Sequence, residues 1–154
     1  MATSSDTFGT IADVEQNVSR GPFTDTSQPT QDQVLAIMIS RSAQVESALR
    51  SKGEPYTVPS GGSPFPASPT DFERSLKTLC DDAVESGAAA QALIVSTTSE
   101  AGDVAETAKY WEDQFDAGLK AISDLCDAPS TSGNRSTVEY SSLPTDGVTP
   151  RTDW

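Results

Sequence analysis

The segment from Val104 to Leu125 constrains the fold most. Val104, Ala108, Trp111, Phe115, Gly118, Ile122 and Leu125 follow one another at alternating steps of four and three residues. That spacing gathers the apolar side chains into one seam along an α-helix, and a strand, with its period of two, could not use it. The other side of the same helix carries Glu112, Asp113, Asp116 and Asp124. A helix built this way must lay its seam on other helices, so the expected fold class is all-α, a small helical bundle. Asp103 is placed to cap this helix, with Glu106 in its first turn, and Ala128-Pro129 ends it.

Three further helices are legible. In "TIADVEQNV", Thr10 can cap and Ile11, Val14 and Val18 form a short stripe that stops at Ser19-Arg20-Gly21-Pro22. Two turns are marginal alone, so this helix must lie on something. Thr30 and Gln33 form a capping box for a helix reaching about Ser51. Val34, Met38, Ser42, Val45 and Leu49 are its stripe, widened by Leu35 and Ile39, and Lys52-Gly53 is a stop. Thr70 and Glu73 open a third helix, in which Phe72, Leu76, Cys80, Ala83, Gly87, Leu93 and Ile94 are expected on one side. Gly87 is unfavourable in a helix, which suggests that a neighbour approaches closely there. A short turn at about 99–102 would make the last two helices an antiparallel hairpin. One short and three long helices result, with Cys80 and Cys126 at similar heights on the hairpin.

The apolar share of the 154 residues is 35%, below the usual range of about 45–50% for globular domains. The shortfall concentrates in residues 1–9, 53–70 and 128–154. The expected organisation is an N-terminal arm (1–9), a helical bundle (10–127) carrying a loop at 53–70, and an extended C-terminal tail (128–154). The loop, "GEPYTVPSGGSPFPASP", packs five prolines and three glycines into 17 residues, which excludes helix and central strand. Loops of this length are either functional or unstructured. This one could fold back on its own core or project onto another subunit.

Ten basic residues face 23 acidic ones, and 8 and 20 of these lie in residues 1–127. The acidity therefore belongs to the bundle. It disfavours sequence-independent nucleic-acid binding. It fits solubility, salt adaptation, or a surface that nucleic acid must slide past. The chain has no histidine, which removes the commonest general base and metal ligand. Cys80 and Cys126 lack metal-ligand or redox-motif spacing and are expected as reduced core residues. Residues 1–9 lack the apolar segment of a secretory signal, and no apolar run approaches the roughly 18 residues of a membrane span. A soluble chain made in a cytoplasm is expected.

Catalytic signatures do not emerge. Asp81-Asp82 and Glu112-Asp113 are adjacent, and neighbours on a helix diverge by about 100°. "SGGS" lacks the lysine, strand and helix of a phosphate loop. The expectation is no enzyme, no cofactor and no metal, and a cleft holding a carboxylate shifted far upward would reopen the question. Interaction remains. Extended segments bind by ordering onto a partner, and aromatic anchors dominate that energy. Trp154, Tyr140 and Leu143 in the tail, and Tyr56 and Phe65 in the loop, are the candidate anchors. Trp154 could instead fold back on its own bundle.

"FGTIADVEQNV" followed by "PTQDQVLAIMISRSAQVESALRSKG" resembles the start of the head-to-tail adaptor, or connector, proteins of tailed viruses, and "AKYWEDQFDAGLKAI" resembles their later aromatic- and charge-rich helices. The likeness spans about residues 8–127 and rests on patterns of small and apolar residues. The 53–70 insertion and the 128–154 tail exceed the minimal pattern. The resemblance implies a small helical bundle in the virion, at the head–tail interface, made in the host cytoplasm. It implies a homo-oligomeric ring, commonly of twelve copies, beneath the portal protein. Such a ring extends the channel through which DNA passes without specific binding, offers a platform to the next tail or stopper component, and has no membrane contact. In that setting Glu112, Asp113, Asp116 and Asp124 are the candidate channel-facing residues, and extended arms reach the portal or neighbouring copies. The alternative is a monomeric helical interaction module, a regulator or assembly chaperone, with one partner and no ring.

Overall fold

The computed structural model describes residues 6–19, 22–56, 65–66, 68–96 and 102–128. These form four helices and no strand: α1 (Ile11–Val18), α2 (Gln31–Ser51), α3 (Asp71–Ser96) and α4 (Gly102–Asp127). The all-α bundle expected from the seam is the fold.

The helix starts follow from local chemistry. The Thr10 side chain accepts from the Asp13 N–H and caps α1. Thr30 and Gln33 complete a reciprocal capping box on α2. Thr70 and Glu73 do the same for α3, with the Thr70 N–H donating to Glu73 Oε2 at 2.7 Å. Each box satisfies two backbone donors that the first turn leaves unpaired. Asp103 departs from expectation: α4 already begins at Gly102, so Asp103 lies inside the first turn. There it complements the positive end of the helix dipole instead of capping it.

α3 is the central helix. It packs along α4 most extensively, and also along α2 and α1. Ala83 meets Gly118, and four residues later Gly87 meets Phe115, three residues earlier. Numbers rising on one helix while falling on the other make α3 and α4 an antiparallel hairpin. Small residues set their separation. A methyl on Gly118 would stand 2.8 Å from the Ala83 Cβ, and one on Gly87 would stand 2.9 Å from the Phe115 ring and 3.0 Å from Arg41 Cδ. The close approach anticipated at Gly87 is therefore real, and two helices make it.

The α2 stripe is buried at Val34, Leu35, Met38, Ser42, Val45 and Leu49, with Ile39 half-buried. The α4 seam puts Ala108, Phe115, Ile122 and Cys126 in the core, and Val104, Trp111, Leu119 and Leu125 pack against it. On α3 the single-sided reading needs correction twice. Ser86 to Ala90 are buried all round, because a central helix with neighbours on several sides has no free face there. Ile94, assigned to the core side, is 62% exposed, near the C-terminal end of α3. Cys80 and Cys126 are free and buried. Burial, followed by the charge of Asp81 and the nearby Cys126, pushes the Cys80 thiol up to about 12. It is protonated, and therefore unreactive, at neutral pH.

The division at residue 9 also needs correction. Thr7 and Phe8 are buried, and Phe8 belongs to the same core as all four helices. Of the proposed arm, residues 6–9 are therefore part of the bundle. A lone phenylalanine before a capping threonine was the available signal, a hydrophobic residue preceding a helix start. Of the tail, only Ala128 is among the described residues.

Candidate interaction surfaces

The two loop anchors lie on their own bundle. The Tyr56 and Phe65 rings stack with centroids 4.2 Å apart at 8°, and both pack against the core. The Tyr56 hydroxyl donates to Glu73 Oε1 at 2.7 Å. Glu73 therefore serves two masters: one oxygen caps α3 and the other holds the loop. The backbone N–H of Thr70, then the Tyr56 hydroxyl, hold the Glu73 carboxyl below its ordinary range. Burial, then the bond to Glu73, push the Tyr56 hydroxyl upward. Of the two loop readings, the described part follows the fold-back. Residues 57–64 and 67 lie outside the described residues, as do Trp154, Tyr140 and Leu143 in the tail.

The four acidic candidates on α4 are not equivalent. Glu112 accepts from Arg41 Nη2 at 2.7 Å. Asp113 pairs with Lys109 at 2.8 Å and Asp124 with Lys120 at 3.3 Å, both one turn along the helix. Asp116 is exposed and has no ion pair among the described residues. The expected acidic face is thus a mixed-charge face with an acidic excess. The Lys109 ammonium is held above its ordinary range by its hydrogen bond to Asp113.

Arg41 is the buried charged residue that the sequence reading missed. It comes from α2, and its side chain is only 8% exposed, against 42% for Glu112. Its guanidinium carbon sits 4.5 Å from the centroid of the Phe115 ring. Nη1 reaches Gln44 at 3.5 Å, and Nε is buried with no hydrogen-bond partner among the described residues. The spacing held the signal: Val34, Met38, Arg41 and Val45 repeat the four–three step, which places an arginine on the apolar seam.

Beside Arg41 opens a shallow cleft of about 400 Å³, lined by Gln91 and Ile94 of α3 and by Ala108, Lys109 and Glu112 of α4. The same end of the hairpin exposes Ile94, Val95 and Tyr110. Tyr110 meets Trp111 edge to face at 5.0 Å.

One carboxylate is shifted far upward. Burial takes Glu85 to about 7, against the opposing pull of the Thr10 N–H and with the help of Asp13, Asp81 and Asp82. It lies beneath the backbone of Gly9 and Thr10, away from the cleft beside Arg41. Among the described residues, no group of three or more His, Cys, Asp or Glu could hold a metal ion, and no helix is long and apolar enough to cross a membrane. Comparison with protein-family models, with curated proteins and with solved structures found no match in any of the three.

Proposed function

We propose that the chain is a structural head–tail adaptor. In this reading it forms an oligomeric ring beneath a viral portal, extends the DNA channel and joins capsid to tail. The observation that carries the reading is the end of the α3–α4 hairpin, where Ile94, Val95 and Tyr110 are exposed and Ile94 lines a cleft. A bundle whose core is already filled gains nothing by exposing those side chains, whereas a neighbouring subunit could cover them. The sequence likeness over residues 8–127 supplies the kind of assembly. The mixed but net acidic outer face of α4, with Asp116 in no ion pair among the described residues, suits a channel that DNA passes without adhering. Residues 128–154, with Tyr140, Leu143 and Trp154, supply the partner-binding arm in this reading. Deleting them should leave the helical signal and melting of the bundle intact and abolish co-assembly with a portal. A truncated chain that unfolds outright would contradict this division of labour.

A second reading is a monomeric interaction module, a regulator or assembly chaperone. The stacking of Tyr56 on Phe65 within the chain favours it, because those rings no longer call for a second subunit. Stoichiometry separates the two: a ring needs many equivalent copies, and the module needs one.

A further inference from the structure

Residues 6–10 are fastened to the bundle at four points. Phe8 is buried in the core, and its N–H donates to Ser42 Oγ of α2 at 3.0 Å. The Gly9 N–H donates to Asp81 Oδ1 and the Thr10 N–H to Glu85 Oε1, both at 3.0 Å and both on α3. Gly9 sits at φ +72°, and a methyl there would stand 2.6 Å from the Glu85 Cγ. The backbone therefore lies directly on the Glu85 side chain and takes it partly out of water.

We propose that residues 6–10 are a pH-sensitive strap across α3, closed while Glu85 carries its proton and loosened when Glu85 ionises. Among the described residues, the charges that act on Glu85 are all negative. Asp13 faces it from α1, and Asp81 and Asp82 flank it on α3. Lys77, one turn before Asp81, is paired with Asp81. α2 contributes the neutral Ser42 to the strap, and the segment itself brings Asp6. Against α4, this stretch of α3 presents Ala83 to Gly118, an uncharged contact. Ionised Glu85 is thus half-buried among three carboxylates, with one backbone N–H to hold it.

The direction follows from linkage. With the strap closed the Glu85 carboxyl stands at about 7, raised chiefly by burial from an ordinary 4.5, and the Gly9 backbone laid on the side chain contributes to that burial. The closed state therefore binds the proton more tightly than the open state does. Closure is strongest at low pH and weakens as pH rises between those two values. Loosening frees Phe8 and uncovers Ser42 and the seam beneath it, so the strap would present an apolar anchor above neutral pH and hide it below. Nothing in this depends on the ring reading.

The test is native-state amide hydrogen exchange of the full chain, read at Phe8, Gly9 and Thr10 between pH 5 and pH 8. Rates are corrected for intrinsic exchange and referenced to the α2 amides of Met38 and Val45. The strap amides should lose protection by roughly tenfold or more over that range while the reference amides hold. Glu85→Gln should remove the dependence. A flat wild-type profile, or an unchanged slope in Glu85→Gln, overturns the proposal. Should Glu85→Gln fail to fold, Asp82→Asn on the exposed side decides: it must move the transition to lower pH, and an unmoved transition overturns the proposal equally.

Discussion

Arg41 on α2 reaches Glu112 on α4 at 2.7 Å, across the face of the Phe115 ring that Gly87 of α3 abuts. One Arg41 side chain thus joins three helices, at the edge of a cleft that the exposed Ile94 also lines. A charge placed so deep is tolerated only when paired, and its partner stands at the rim.

Glu112→Gln should therefore destabilise the bundle by about 1–3 kcal/mol, less than for a fully buried pair because Glu112 is partly solvated. Adding Arg41→Met should recover part of the loss, since it removes the stranded charge and keeps the stem. Urea denaturation of the two variants checks this. A double variant less stable than Glu112→Gln alone would show that Arg41 stabilises through its packing on Phe115.

Gly87→Ala should be destabilising by about 1–2 kcal/mol, although alanine favours a helix by about 1 kcal/mol over glycine. The new methyl meets Phe115 and Arg41 Cδ, and neither can retreat without moving α4 or α2. A thermal melt gives the sign directly.

Tyr56→Phe should cost about 0.5–1.5 kcal/mol through the lost bond to Glu73. It should also raise the Glu73 carboxyl toward its ordinary 4.5, because one of the contacts holding it down is gone. A carboxyl held low stabilises the fold above its ordinary pKa, and that contribution disappears as pH falls through its folded value. The variant should accordingly show a weaker dependence of stability on pH in the acid range, measured by denaturation between pH 3 and pH 6.

How much of this was visible in the sequence depends on the range of the physics involved. The α4 seam and the two capping boxes were legible because period and cap chemistry are local. The hairpin followed from a short turn. The burial of Ser86 to Ala90 was not legible, because a run of small residues states no face, and only the packing of three neighbours makes it a centre. The misplacement of Ile94 has a related origin: its helical phase is right for the core, but it stands at an open cleft between α3 and α4. The candidate acidic site was half legible. The carboxylates on α4 could be read off, whereas the Arg41–Glu112 pair joins residues 71 positions apart, which no local pattern reports. The strap at Phe8 was missed because composition placed it in a polar arm.

Ile94→Asp and Tyr110→Ser should leave the melting of the isolated chain within about 0.5 kcal/mol of wild type, since both positions are exposed. In the adaptor reading the pair should abolish co-assembly. Far-UV circular dichroism and gel filtration with the partner present read the two effects separately.

Capture of the tagged full chain from virus-producing cells, with the complex sized by mass and imaged, tests the central claim most directly. The adaptor account predicts many equivalent copies of the chain seated on a portal ring. A single copy bound to one unrelated partner would contradict it.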